Sequence, residues 1–237
     1  MTKSILPKKI LYWYDNNKRS LPWRKKSSQI NREYYTLVSE FMLQQTQVVT
    51  VIPYFNNFIK DIPNINALAK INDNKLLKYW EGLGYYSRVK NLKKTAKILK
   101  KNFKGRLPST IEELKLLPGI GEYTSNAIMA IGFNKPFIPL DGNIERVIKR
   151  LLNLKLISEV SKENLVSKKK ILGTSVRASD YAQALMELGA LICRPKNPLC
   201  NQCPLIKNCK SFKNNDFEIV KERKKKIDRF YLLEVYK

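Results

Sequence analysis

The stretch Leu116–Arg150, LLPGIGEYTSNAIMAIGFNKPFIPLDGNIERVIKR, constrains this chain more than any other. An apolar helical run over 111–117 is cut by Pro118-Gly119-Ile120-Gly121. Proline cannot extend a helix and glycine accepts positive φ. A second helix is expected from about Glu122 to Ile131. The result is a helix, a four-residue hairpin and a helix. Its glycines let the backbone approach a partner, and the amides of the new helix N-terminus suit one phosphate. Twenty residues after Gly121 comes Asp141, in Pro139-Leu140-Asp141-Gly142-Asn143, ahead of an amphipathic helix. Alone, Asp141 reads equally well as a helix N-cap. Hairpin and aspartate at this spacing together point to a site beside a nucleic-acid backbone.

Charge agrees with that reading. Lys plus Arg total 45 against 20 acidic residues in 237, a formal charge of +25. Such a chain repels itself without a polyanionic partner, so nucleic acid is the first expectation. Part of the excess reflects a composition rich in Asn, Ile and Lys. There is no histidine, so acid–base chemistry near neutral pH falls to carboxylates, lysine, tyrosine or thiols. No segment has the length of a signal peptide core or a membrane span. The chain reads as intracellular, which makes its four cysteines metal ligands rather than disulfides.

Helical period and caps recur along most of the chain, with little strand alternation. The fold class is all-α. Helices are expected at 5–17, at 34–51, between Pro53 and Pro63, and at 64–70, 72–79, 88–103, 111–117, 122–131, 143–154, 162–175 and 180–191. The segment 25–32 reads as a polar loop. Helix 88–103 is basic on its outer face.

Two carboxylates stand out. Glu40 lies mid-helix between Leu37 and Leu43, on a shared apolar face. A carboxyl there is partly desolvated, which raises its pKa and lets it hold a proton near neutrality. Gln44, Gln45 and Thr46 follow it and offer hydrogen bonds to base edges. Breaking an N-glycosidic bond needs a protonated leaving base and a stabilised sugar cation. One protonated and one ionised carboxyl group supply both; Glu40 fits the acid and Asp141 the anion.

The strings LPGIGEYTSNAI, LDGNIERV and SEFMLQQTQ, with GLGYYSR at 82–88, resemble the helix-hairpin-helix DNA glycosylases, and in detail the MutY-type adenine glycosylases. The resemblance covers about residues 5–212. It implies a six-helix barrel lobe over 29–136 and an iron–sulfur lobe built from 1–28 and 137–212, with the DNA cleft between them. It also implies a catalytic set of Glu40, Asp141, Tyr123 and Asn143. Arg19, Trp23, Arg24, Leu43 and Glu187 would form the base pocket, and Gln45 and Tyr85 would sit beside the opposite base. Gln44, Thr46, Arg88, Gly119, Gly121 and Thr124 would contact DNA. Bifunctional relatives of endonuclease III type carry a lysine where this chain has Tyr123, so hydrolysis without efficient strand cleavage is expected. The implied substrate is duplex DNA with adenine opposite 8-oxoguanine or guanine, processed by a monomer. A mismatch thymine or uracil glycosylase and a non-catalytic iron–sulfur DNA-binding protein are the alternatives.

Cys193, Cys200, Cys203 and Cys209 are spaced C-x6-C-x2-C-x5-C. Four thiolates in so short a span suit a four-cysteine zinc or an iron–sulfur cluster. The family spacing implies a [4Fe–4S] cluster that stiffens a loop bearing Arg194, Lys196 and Lys207. After Cys209 a basic tail, 213–237, ends in the strand-like run Arg229–Tyr236. In the family such a run opens a Nudix-like C-terminal domain, and this sequence is expected to lack that domain.

Overall fold

The computed structural model of the protein describes residues 5–218. The strand expected over 229–236 lies outside them. Among the described residues the structure is helical, with no strand. No described helix is long and apolar enough to cross a membrane.

The apolar residues separate into two cores. The first draws on 34–129 and is carried by α2 (Gln29–Leu43), α3 (Val48–Asp61), α4 (Ile65–Lys70), α5 (Asp73–Lys78), α6 (Ser87–Asn102), α7 (Ile111–Lys115) and α8 (Glu122–Ala127). Its centre includes Leu37, Phe41, Phe58, Trp80 and Leu92. The second joins the N-terminal helix α1 (Ile5–Asn17, preceding α2) to α9 (Gly142–Leu152), α10 (Lys162–Lys168) and α11 (Ala178–Glu187). Ile10, Trp13 and Tyr14 of α1 pack with Tyr181 and Leu185 of α11. A short helix, α12 (Lys210–Lys213), follows the last cysteine.

Local chemistry sets the helix limits that matter. Ser28 caps α2 by accepting from the Asn31 amide at 3.3 Å, so the helix starts at Gln29 inside the expected polar loop. It ends at Leu43, and α3 starts at Val48. The single helix expected over 34–51 is therefore two, broken where Gln45 takes φ +59°. Pro53 lies inside α3 rather than before it. Asp141 caps α9, whose Ile144, Val147, Ile148 and Leu151 form one buried stripe at helical spacing. Asn153 closes α9 in the left-handed region.

Two helices widen at their C-terminal ends. Ile128–Gly132 after α8 and Leu188–Ile192 after α11 are π-helical. Such turns recur at functional sites, and here both border the same cavity through Ile131 and Ala190.

Candidate active site and cysteine chamber

A cavity of about 970 Å³ opens where the two cores meet. Glu40 and Leu43 reach it from α2, Asp141 and Asn143 from the start of α9, Tyr123 from α8, and Glu187 from the end of α11. Arg19, Trp23, Arg24, Gln44, Gln45 and Thr46 also line it. All expected catalytic and pocket residues except Tyr85 thus meet in one place.

Glu40 is 5% exposed. Burial pushes its carboxyl from the ordinary 4.5 up to about 7; the neighbouring Tyr123 hydroxyl opposes the shift, the nearby Asp141 carboxylate adds to it, and Arg24 lowers it. Glu40 Oε2 is buried and has no hydrogen-bond partner in the protein.

Asp141 is arranged differently. Burial raises its carboxyl too, but both oxygens are engaged by donors. The Ile144 amide donates to Oδ1 at 2.7 Å and Asn143 Nδ2 to Oδ2 at 2.9 Å. Arg146 adds positive charge, and the N-terminus of α9 adds its dipole. Every one of these partners favours the anion. Two carboxyl groups therefore face one cavity in different surroundings: Glu40 buried with one oxygen free of protein partners, Asp141 half-buried with both oxygens engaged and its carboxyl raised on balance by burial.

The far wall is an ion triad. Glu187 is fully buried, and Arg19 grips it through Nε at 3.0 and 2.9 Å and Nη2 at 2.7 Å. Arg24 adds a fourth contact at 3.0 Å. Burial alone would raise the Glu187 carboxyl, but the two guanidinium groups hold it below its ordinary value. Gln183, one turn before Glu187 on α11, also lines the cavity, with its amide nitrogen tied to the Ser179 carbonyl at 3.1 Å. Thr36, Ser39 and Arg146 line it as well. None of these four was singled out from the sequence. Gln183 shares a helical face with Glu187 at i, i+4, which was the available signal.

The expected DNA-facing residues divide. Gln45 and Tyr85 are exposed, and both hold positive φ, +59° and +47°. Gly82 and Gly84, at φ +92° and +69°, form the turn that turns Tyr85 outward. Gly119 holds φ +81°, and a Cβ there would come within 2.7 Å of the Phe41 ring. Gly121 faces open space. Gln44 reaches back to the hairpin, with weak 3.5 Å contacts to the Gly119 carbonyl and Thr124 hydroxyl; Thr124 is buried. Arg88, expected against DNA, is also buried. It donates to Met42 O at 2.8 Å, Thr46 Oγ1 at 3.1 Å, Leu83 O at 3.0 Å, Gly84 O at 3.1 Å and the Gln44 carbonyl. Its guanidinium lies 5.4 Å from both the Trp80 and Tyr85 rings. Arg88 staples the loop of Gln45 to the loop of Tyr85.

The four cysteines line a second, small apolar chamber with Arg150, Ile192, Pro198, Ile206, Phe212 and Phe217. Burial pushes the Cys203 thiol up to about 12 and also raises Cys200 and Cys209. Arg150 binds the carbonyls of Arg194 at 2.7 Å and Pro195 at 2.9 Å and reaches Cys193 Sγ at 3.5 Å. Among the described residues, no three Cys, His, Asp or Glu side chains surround a point where one ion could sit.

Residues 38–170 match the family described as HhH-GPD superfamily base excision DNA repair protein. The adenine DNA glycosylase of Buchnera aphidicola subsp. Baizongia pistaciae (strain Bp) is 42% identical over 228 residues, covering 95% of this chain and 64% of that one. The adenine DNA glycosylase of Homo sapiens is 40% identical over 212 residues, covering 85% and 38%. The chain thus spans less than two thirds of the length of these relatives. Among solved structures, a thermostable thymine-DNA glycosylase aligns with TM-score 0.77 at 24% identity, over 90% of this chain and 97% of that one. An endonuclease III–DNA complex aligns at 0.68 and 20%, over 91% and 98%. Both share the fold seen here. With the family match covering more than half of its length, the chain belongs to the HhH-GPD superfamily of base excision DNA repair proteins.

Proposed function

We propose that the protein is a monofunctional glycosylase that hydrolyses the N-glycosidic bond of adenine mispaired with 8-oxoguanine or guanine in duplex DNA. The observation that carries this reading is the opposed pair in one cavity: Glu40 with an unpartnered buried oxygen and Asp141 with both oxygens engaged. Glu40 donates its proton to a ring nitrogen of the flipped adenine, N7 in the family pattern, and the base becomes a neutral leaving group. The sugar then bears positive charge, and the Asp141 carboxylate stabilises it. Glu40, now ionised, takes the proton of the attacking water. Tyr123 fills the position of a Schiff-base lysine, so the reaction stops at base removal. The Arg19–Glu187–Arg24 triad, Trp23, Leu43 and Gln183 shape the base pocket. Gln45 and Tyr85 read the opposite base, and Gly119 and Gly121 open the hairpin to a phosphate.

The identity to adenine DNA glycosylases supports adenine over thymine; the thymine glycosylase structure shares the fold at lower identity. Incubation with duplexes holding A opposite 8-oxoguanine, A opposite G, T opposite G or thymine glycol, followed by alkali, tests the reading. Adenine release alone is expected; thymine release without adenine release overturns it. The site of action is wherever the genome lies, and the acting form is a monomer.

The cysteine chamber supports a [4Fe–4S] cluster held by Cys193, Cys200, Cys203 and Cys209. Its support is the C-x6-C-x2-C-x5-C spacing together with all four cysteines lining one chamber. Such a cluster would hold the loop of Arg194 and Lys196 rigid and would take no part in bond cleavage.

A further inference from the structure

The outer face of α6 is not used by the site described above. Lys90, Lys94, Lys97 and Lys101 are all exposed and recur at i, i+4, i+7 and i+11. At 1.5 Å per residue they form one stripe about 16 Å long. The first three rim a cleft of about 280 Å³ between α5 and α6, floored by Leu76, Leu77 and Val89. The stripe starts one turn after Tyr86, so it is continuous with the loop that presents Tyr85. The carboxylate in the cleft, Asp73, is paired with Lys93, whose bond holds it below its ordinary value. Nothing acidic lining the cleft is left to neutralise the other lysines.

We propose that this stripe is a second track for the DNA backbone, gripping duplex beyond the mispair; it rests on duplex DNA being the substrate. Two observations favour DNA over an acidic protein segment. The stripe continues the surface that carries the opposite-base reader. Its floor is mostly closed, with Leu76 at 2% and Val89 at 0% exposure and only Leu77 half-buried. The lysine stems cover that floor and leave their ammonium groups outward. A partner helix would find little apolar surface to bury, whereas phosphates need only the charges.

The test is the triple variant Lys90→Ala, Lys94→Ala, Lys97→Ala, with Lys→Arg at the same positions as rescue. Affinity is measured over a salt series for undamaged duplex, long and minimal. Each phosphate contact contributes about 0.9 to the slope of log K against log salt, so the alanine variant should lose about 2 to 3 on long duplex. The slope on minimal duplex should hold, the arginine variant should match wild type, and adenine release at saturating enzyme should not change. An unchanged slope on long duplex, or an equal loss on minimal duplex, overturns the track. So does weakened binding of poly-glutamate with unchanged DNA slope, which would assign the stripe to an acidic protein. Undamaged duplex reads the track without base release, so it and the proposed activity fail separately.

Discussion

Replacing Glu40 by glutamine should abolish base release and yet stabilise the fold above neutral pH. The folded protein holds the Glu40 proton up to about 7, whereas the unfolded chain releases it near 4.5. Below 4.5 both states are protonated and the group contributes nothing. Between the two values the native state binds the extra proton, so stability falls as pH rises. Each pH unit costs about 1.4 kcal/mol, so the native state carries about 3 kcal/mol of penalty by pH 8. Glutamine cannot ionise and escapes it. Its extra amide donor meets a site with no partner, a cost of about 1–3 kcal/mol that does not vary with pH. The pH-dependent part is therefore the readout. Urea unfolding of wild type and Glu40→Gln at several pH values from 5 to 8 should give a stability difference that moves toward the variant by about 2–3 kcal/mol across the range. A difference that stays flat would show that Glu40 ionises normally in the folded protein, and the assignment of the acid would fall with it.

Three further outcomes follow from the same geometry. Asp141→Asn should eliminate single-turnover adenine release while duplex binding persists; near-wild-type release would remove Asp141 from the reaction. The purified protein should be brown, with broad absorption near about 400 nm and four irons per chain; a colourless protein with one zinc would overturn the cluster assignment. Arg88→Ala should destabilise the fold by more than about 3 kcal/mol, since several buried carbonyls lose a charged donor at once, and it should blur the preference for the opposite base; a thermal melt matching wild type would contradict the staple.

The chemistry of this chain was legible where it depends on a local pattern. Glu40 between Leu37 and Leu43 announced a desolvated carboxyl, and Pro139-Leu140-Asp141 announced a helix cap; both hold in three dimensions. What escaped depends on tertiary structure. LQQTQVV keeps helical period, so nothing local reveals that Gln45 adopts positive φ and splits the helix. The π-helical turns at Ile128–Gly132 and Leu188–Ile192 carry no local mark in the sequence; at the first, Gln29 and Arg32, about a hundred residues away, both donate to the Gly132 carbonyl. Arg88 reads as a surface cation in a lysine-rich helix, and only its carbonyl partners reveal a buried staple. Arg19 and Glu187 are 168 residues apart, and family resemblance alone suggested that they belong to one pocket.

One arginine joins the two sites. Arg146 donates to Asn143 Oδ1 at 2.8 Å, the Gly189 carbonyl at 2.7 Å and the Cys193 carbonyl at 2.7 Å. Asn143 in turn donates to Asp141. The position of Asp141 is therefore referred, through two side chains, to the backbone at the first cysteine and to the π-helical turn after Glu187. Gly189 permits that approach, because a Cβ there would come within 2.5 Å of Asn143 Cβ and 2.9 Å of its backbone. Arg146→Ala removes the link, and Gly189→Ala pushes on it from the other side. Both should displace the carboxylate, and an error of about 1 Å costs about 100-fold in rate. The loss should fall on single-turnover release, while affinity for a duplex bearing an uncleavable adenine analogue holds. Full-rate release by either variant would mean that the α9 cap alone, through the Ile144 amide, is enough to place Asp141.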